Sequence, residues 1–355
     1  MKFLHCGDIH LDSGMERNLT AALARERNAE ICAAFARMTA FAVEQGVTAV
    51  IIAGDLFDTR RVSAQTVGFV LDTVRSASGV DFLYLRGNHD ASGFEGLDLP
   101  ENLKIFGEKW TCFRYGDVTV SGMDLGRENW ESCYEELRLP ADAVNIVTLH
   151  GQVSTQPGEE MIALPKLKRK HIDYLALGHI HSYQTGRLDD RGIWCYCGCL
   201  EGRGFDELGP KGFVLLDMTD HAVTHEFIPF ARRQLVETQV DISELTTVSQ
   251  ILEAARDALE DQSPEDLVKL TLTGTYTLET QKDLNFLRKM LEGRFWHLKI
   301  KDESRLKIEK ESYEHDISLK GEFIRLVMAS DKSDEEKERI ICYGIRALSG
   351  REVDA

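Results

Sequence analysis

No stretch of the 355-residue chain approaches the roughly 20 consecutive apolar residues that a membrane-spanning helix needs. The opening Met1-Lys2-Phe3-Leu4-His5-Cys6 also lacks the long apolar run of a secretory signal. We therefore expect a cytoplasmic protein with no membrane partner. A surplus of positive charge is missing too. Lys and Arg number 42 against 59 Asp and Glu, a net charge of −17. The deficit runs the whole length, with 24 basic against 33 acidic residues over 1–233 and 18 against 26 over 234–355. Such a surface does not attract phosphate backbones unaided, so a nucleic-acid substrate would need bound cations or a partner to draw it in. The eight cysteines show no C-x2-C spacing of a zinc site. Cys195, Cys197 and Cys199 alternate, which on a strand puts them on one face as small buried residues.

Apolar content of 43% with 28% charged residues fits a globular chain long enough to bury a sizeable core. In the first half, short buried runs alternate with amphipathic ones. Strands are predicted over Lys2–Cys6, Thr48–Ala53, Asp81–Leu85, Val144–Leu149 and Tyr174–Leu177, with helices over Ala22–Gln45 and Ser63–Ser76. A hairpin falls within Thr111–Met123, turning at Tyr115-Gly116-Asp117, and further strands follow at 184–188, 193–197, 212–217 and 223–228. The order predicts an α/β sandwich with helices over both faces, in a first domain spanning 1–233. Residues 234–307 read as a small α/β domain without a chemical motif, including helices over Thr247–Asp261 and Leu278–Leu291. Residues 308–355 end in two helical stretches, Leu319–Ala329 and Asp334–Ser349.

Five motifs stand where predicted strands end: Gly7-Asp8-Ile9-His10, Gly54-Asp55-Leu56-Phe57-Asp58, Gly87-Asn88-His89-Asp90, His150-Gly151 and Gly178-His179-Ile180-His181. Loops at the carboxyl ends of strands in such sheets converge on one crevice. Asp, Asn and His meeting there offer oxygen and imidazole nitrogen, a set suited to Mn2+, Fe or Zn2+. Asp8 with His10, and His179 with His181, are two residues apart, so in extended chain each pair points one way.

The ordered motifs resemble those of the calcineurin-like metallophosphoesterase superfamily. The stretches KFLHCGDIHLD, IIAGDLFDTRRVSAQT, LRGNHD, LGHIH and CGCLEGRGFDELGPKGFVLLD are similar to SbcD-type nuclease subunits of double-strand-break repair complexes. The resemblance runs over roughly residues 1–300. It implies two divalent cations, Mn2+ ahead of Fe, Zn2+ or Mg2+, that share Asp55. Asp8, His10 and His181 would complete one site, and Asn88, His150 and His179 the other. His89 would be the catalytic imidazole and Asp58 the carboxylate that orients it. Some nuclease relatives carry a histidine at the place of Asp58, and a proline often stands where this chain has Cys197. The resemblance further implies DNA as substrate, a second domain that caps the nuclease, a homodimer, and a coiled-coil ATPase of the SbcC type held by the terminal helices.

Other residues carry plainer readings. His5 reads as a strand residue beneath the site, and His171, His221, His225, His297 and His315 as surface residues. Lys166, Lys168, Arg169 and Lys170 read as a solvated helix face or a duplex contact. Arg203 and Phe205, in a glycine-bracketed loop, read as substrate contacts or packing residues. A DNA exo- and endonuclease competes with a phosphatase or phosphodiesterase for small substrates, and with a DNA-tethering scaffold that cleaves nothing. A scaffold has no evident need of His89 and Asp58 together.

Overall fold

The structure is a computed structural model and describes residues 1–15, 19–58, 62–90, 94, 96–219, 222–308 and 313–348. His221 and Ser349 lie outside the described residues. Two compact units divide the chain, Met1–Leu235 and Val236–Ala355.

Fourteen strands follow one another in the first unit among the described residues. They are β1 (Lys2–Cys6), β2 (Ala49–Ala53), β3 (Asp81–Leu85), β4 (Leu103–Ile105), β5 (Thr111–Tyr115), β6 (Val118–Gly122) and β7 (Val144–His150). Then come β8 (Gln152–Ser154), β9 (Met161–Ala163), β10 (Tyr174–Gly178), β11 (Gln184–Arg187), β12 (Ile193–Tyr196), β13 (Gly212–Thr219) and β14 (Ala222–Pro229). One six-stranded sheet has the order β14-β13-β1-β2-β3-β4 and the other β11-β12-β10-β7-β6-β5. In each, the strands that carry the motifs run parallel: β1, β2 and β3 in the first, β7 and β10 in the second. Their carboxyl ends therefore share an edge.

Phe3, Ile51, Leu83 and Val214 of the first sheet meet Val120, Ile146, Tyr174 and Ala176 of the second in one apolar core. Helices α1 (Ala21–Glu44) and α2 (Ala64–Ser76), capped by Thr20 and Ser63, flank the first sheet. Phe35 of α1 meets Phe69 of α2, and Phe41 packs at a tilt against Phe213 of β13. The second sheet is covered differently. Single-turn helices at Cys133–Glu136 and Leu164–Leu167 bring Tyr134, Leu137 and Leu167 onto Leu149, Leu175 and Leu177.

That geometry corrects the basic run. Leu164–Leu167 stops after one turn and Arg169 adopts φ 60°, so Lys166, Lys168, Arg169 and Lys170 form no helix face. The cysteine trio is corrected as well. Cys195 and Cys197 enter the core between the sheets, but Gly198 turns at φ 74° and takes Cys199 out of the alternation. All three are buried free thiols.

The second unit holds a three-stranded sheet of Leu235–Asp241, Leu267–Thr273 and His297–Asp302. Ile251, Leu252 and Ala255 from the helix Val248–Ala258 pack on Val268, Leu270 and Leu272. Thr247 and Gln250 form the capping box that the sequence announces. The helix expected from Leu278 begins only at Leu284. Asp283 caps it by accepting the Asn285 and Phe286 N–H groups, while Thr277 and Thr280 hold a turn before it. The terminal helices Leu319–Met328 and Asp334–Leu348 bury Ile324, Val327 and Ile341 in a small core with Leu278, Leu306 and Tyr313, leaving Ile317, Leu319 and Leu326 exposed. Among the described residues no helix is long and apolar enough to cross a membrane.

Candidate metal centre

Three of the five motifs leave their strands through backbone that ordinary residues seldom adopt. Asp8, His10 and Asp55 have φ of 48°, 51° and 48°, and His179 reaches 105°. The extended-chain reading of the two pairs is therefore wrong. Asp8 and His10 reach one space by curling rather than by alternating. His181 meets His10, whereas the His179 ring stands edge-on to His150 at 5.3 Å. Neighbouring glycines serve by lacking a Cβ. One on Gly54 would lie 2.2 Å from His150 Nδ1, and one on Gly87 would lie 2.2 Å from Asp55 Oδ1.

Metal-type donors converge in three groups whose ligand atoms lie within 4.8 Å of one another: Asp8, His10 and His181; Asp8, Asp55 and His150; His10, Asp58 and His89. Asp55 Oδ2 sits 3.8 Å from His10 Nε2 and 3.4 Å from His150 Nε2, between the first two. Asn88 Oδ1 lies 2.9 Å from His150 Nε2. His179 joins through its backbone, donating its N–H to both Asp8 oxygens at 2.8 and 3.0 Å, and its ring is outside the three groups.

The imidazoles show what the space is shaped for. His150 Nδ1 faces the Ala53 carbonyl at 2.9 Å and His181 Nδ1 faces Glu207 Oε1 at 2.7 Å. His10 Nδ1 lies 3.1 Å from Asp58 Oδ1, in a contact too bent for a strong hydrogen bond. With a proton on each Nδ1, all three Nε2 atoms carry lone pairs. His10 Nε2 and His181 Nε2 then oppose each other at 3.1 Å, an arrangement that calls for positive charge between them.

The carboxylates say the same. Burial works against a charged His150, yet Asp55 and Asp8 outweigh it and lift the ring to about 9. Burial raises the Asp8 carboxyl. Asp55, despite its burial, is held at about 2 by His150 and His10. Buried carboxylates facing imidazoles make a donor set that fits a divalent cation.

Asp58 and His89 lie at the rim. Asp58 Oδ1 is 3.3 Å from His89 Nδ1 and 3.0 Å from Arg203 Nη1, and its Oδ2 accepts the Ser13 hydroxyl at 2.5 Å. Burial opposes its charge, but His10, Ser13 and Arg203 hold it well below the usual carboxylate range. His89 is 47% exposed, the outward imidazole of the group. Arg203 turns its guanidinium inward onto Asp58 and Glu207, and Phe205 is partly exposed two residues on. His5 is fully buried in the core on β1, 3.0 Å from the Tyr174 hydroxyl.

Three contributors escape sequence reading. Asp90 accepts N–H groups from Gly87, Phe57 and Leu56, tying two motif loops together, and burial raises it to about 6. Glu207 backs His181, and Lys211 donates its ammonium to the His181 carbonyl at 2.6 Å. Asp90 stands inside a visible motif. Glu207 had only the weak signal of an acidic residue in a glycine-rich loop behind a histidine pair.

Comparison with known proteins agrees with this geometry. The chain is 28% identical over 337 residues to the uncharacterized metallophosphoesterase YhaO of Bacillus subtilis, covering 86% of this chain and 82% of that one. It is also 28% identical over 269 residues to the DNA double-strand break repair protein Mre11 of Haloferax volcanii, with 73% of this chain aligned but only 59% of the relative spanned. To the protein of the same name from Saccharolobus solfataricus it is 24% identical over 383 residues, covering 99% of this chain and 96% of that one. The family model for calcineurin-like phosphoesterases matches residues 1–183. That span takes in all five converging strand ends and more than half of the sequence, and the chain belongs to the calcineurin-like phosphoesterase family.

Proposed function

We propose that this metallophosphoesterase is a DNA exonuclease and endonuclease, the cleaving subunit of an SbcCD-like repair complex. The observation that carries the reading is the division of labour among the histidines. His10, His150 and His181 turn their Nε2 atoms inward, and His89 alone stands outward against Asp58. Asp8, His10 and His181 would hold one cation, Asn88, His150 and His179 the other, and Asp55 lies between. Manganese is the metal proposed. Two such cations supply Lewis-acid stabilisation of a phosphoryl group and an activated water at neutral pH.

The chain's own residues do the rest. His150 and His181 keep their Nδ1 protons on fixed acceptors and so stay in the ligating tautomer. Asp58 holds His89 by Nδ1, which leaves Nε2 to exchange a proton with the leaving oxygen, a contribution of about 10²–10⁴ in rate. Phe205 is the proposed substrate contact of its loop. The archaeal relatives whose name states a role in break repair support DNA as substrate, and the Saccharolobus likeness extends through the second unit. An ATPase partner on the terminal helices, with a homodimer, belongs to the same proposal.

The charge of −17 favours a second reading, a phosphodiesterase or phosphatase of small substrates. A groove of about 650 Å³ beside Gly87 and Asp90 is lined by Glu108, Asp124, Glu128 and Glu136 together with Arg86, Lys109 and Arg127. Purified protein with Mn2+ is to be assayed on a labelled duplex, a cyclic nucleotide and p-nitrophenyl phosphate. We expect cleavage of the duplex. Turnover of a small ester with the duplex left intact defeats the nuclease reading.

A further inference from the structure

Behind His10 and His181 lies a closed circuit of contacts that draws Asp58, Arg203 and Glu207 together. His10 Nε2 faces His181 Nε2 at 3.1 Å. The far nitrogen of His181 meets Glu207 Oε1 at 2.7 Å, and that of His10 meets Asp58 Oδ1 at 3.1 Å. Arg203 joins the two carboxylates, with Nη1 3.0 Å from Asp58 Oδ1 and Nη2 2.9 Å from Glu207 Oε1. Its Nε donates to Glu207 as well, and its backbone N–H donates to Glu207 Oε2 at 2.7 Å. The guanidinium is therefore spent on the protein, and its side chain is only 17% exposed.

The loop that carries Arg203 and Glu207 is itself anchored. Arg27 on α1, with no exposed surface, donates Nη2 to the Gly202 carbonyl and to Glu201, both at 2.8 Å, and Nη1 to Glu30. Arg233 closes on Glu30 at 2.7 Å. Lys211, at the loop's other end, holds the His181 carbonyl. A segment that needed only to pack would not require three buried cations.

We propose that Arg203 and Glu207 are positioning residues of the metal centre: with Asp58 they close a ring that sets the separation of His10 and His181 and the tautomer of His181. Glu207 keeps the His181 proton on Nδ1 and makes Nε2 a better donor, as carboxylates behind metal-bound histidines do. Arg203 fits because its planar fork spans two carboxylates in fixed geometry, which a lysine ammonium cannot reproduce. It also neutralises two anions that would otherwise repel each other and compete for the cation. Only the pocket shared by His10 and His181 depends on the ring. The pocket of His150 and Asn88 has the Ala53 carbonyl as its support instead.

The proposal rests on the metal reading above, and calorimetric titration of the metal-free full chain with Mn2+ tests both separately. The unaltered chain should take up two equivalents. In Arg203→Lys and Glu207→Ala one equivalent should weaken by about 10–100-fold and the other by less than about twofold, with the metal-free protein still folded. Glu207→Gln, which keeps an oxygen for the His181 proton, should recover most of the loss. Two unchanged equivalents in Arg203→Lys and Glu207→Ala overturn the proposal, and so does equal weakening of both, which marks general loosening. An unaltered chain that binds no Mn2+ overturns the metal reading and the ring with it.

Discussion

Gly87→Ala tests how closely the motif loops are fitted. Gly87 has no positive φ to defend, so the substitution probes space alone. An added Cβ would stand 2.2 Å from Asp55 Oδ1 and 2.5 Å from the Asp55 backbone nitrogen, where ordinary contact begins at 3.4 Å. One partner must retreat by about 1 Å to restore normal van der Waals distance. The Asp55 carbonyl is held by the His10 N–H at 3.0 Å, so the carboxylate moves or the Gly87 loop does. A displaced carboxylate leaves His10 Nε2 and His150 Nε2, and a displaced loop takes away the His89 N–H that Asp55 accepts at 2.9 Å. Overpacking of this kind costs about 1–3 kcal/mol of stability. A misplacement near 1 Å costs about 10²-fold in rate. We expect hydrolysis of bis(p-nitrophenyl) phosphate with Mn2+ to fall by that factor, Mn2+ affinity to drop in calorimetry, and the protein to remain folded. Gly14→Ala, where a Cβ meets nothing within 4 Å, is the control and should match the unaltered chain. A Gly87→Ala protein with unaltered rate and affinity would refute the steric argument and the place given to Asp55.

The remaining predictions concern roles and pH. His89→Ala should still bind Mn2+ yet lose about 10²–10⁴ in rate, whereas Asp55→Ala should lose both. Calorimetry beside the ester assay separates them, and full activity in His89→Ala would remove that residue from the chemistry. Burial depresses His5 from 6.5 to about 3, so the folded chain keeps it neutral while the unfolded chain protonates it below about 6.5. Its contribution is complete above that pH and is lost as pH falls toward 3. Between pH 6.5 and 5 the loss is about 2 kcal/mol. Urea unfolding at the two pH values should show this slope and its flattening in His5→Gln. Identical slopes would show that His5 does not titrate on unfolding.

Much of the site was legible because its residues sit at strand ends. An apolar run such as TAVIIA declares a buried strand, and whatever follows it must surface on the sheet edge. The direction of approach was not legible. Asp8 and His10 looked like an extended pair, and only tertiary hydrogen bonds, such as Asp8 N–H to the Gly54 carbonyl and His10 N–H to that of Asp55, fix the left-handed turn. The same limit hid Asp90, Glu207 and Lys211, whose partners are set by folding rather than by spacing. Helix ends followed local chemistry where a cap was evident, as at Thr247. The early start assigned at Leu278 failed because Asp283 offers a cap inside an apolar pattern.

The curled backbone at Asp8, His10 and Asp55 has an evolutionary consequence. Glycine or asparagine would sit more comfortably there, since each left-handed residue costs of order 1 kcal/mol. Drift toward sturdier variants therefore runs against drift toward active ones at these three positions. A descendant released from selection for turnover should lose these ligands early and become harder to unfold as it does.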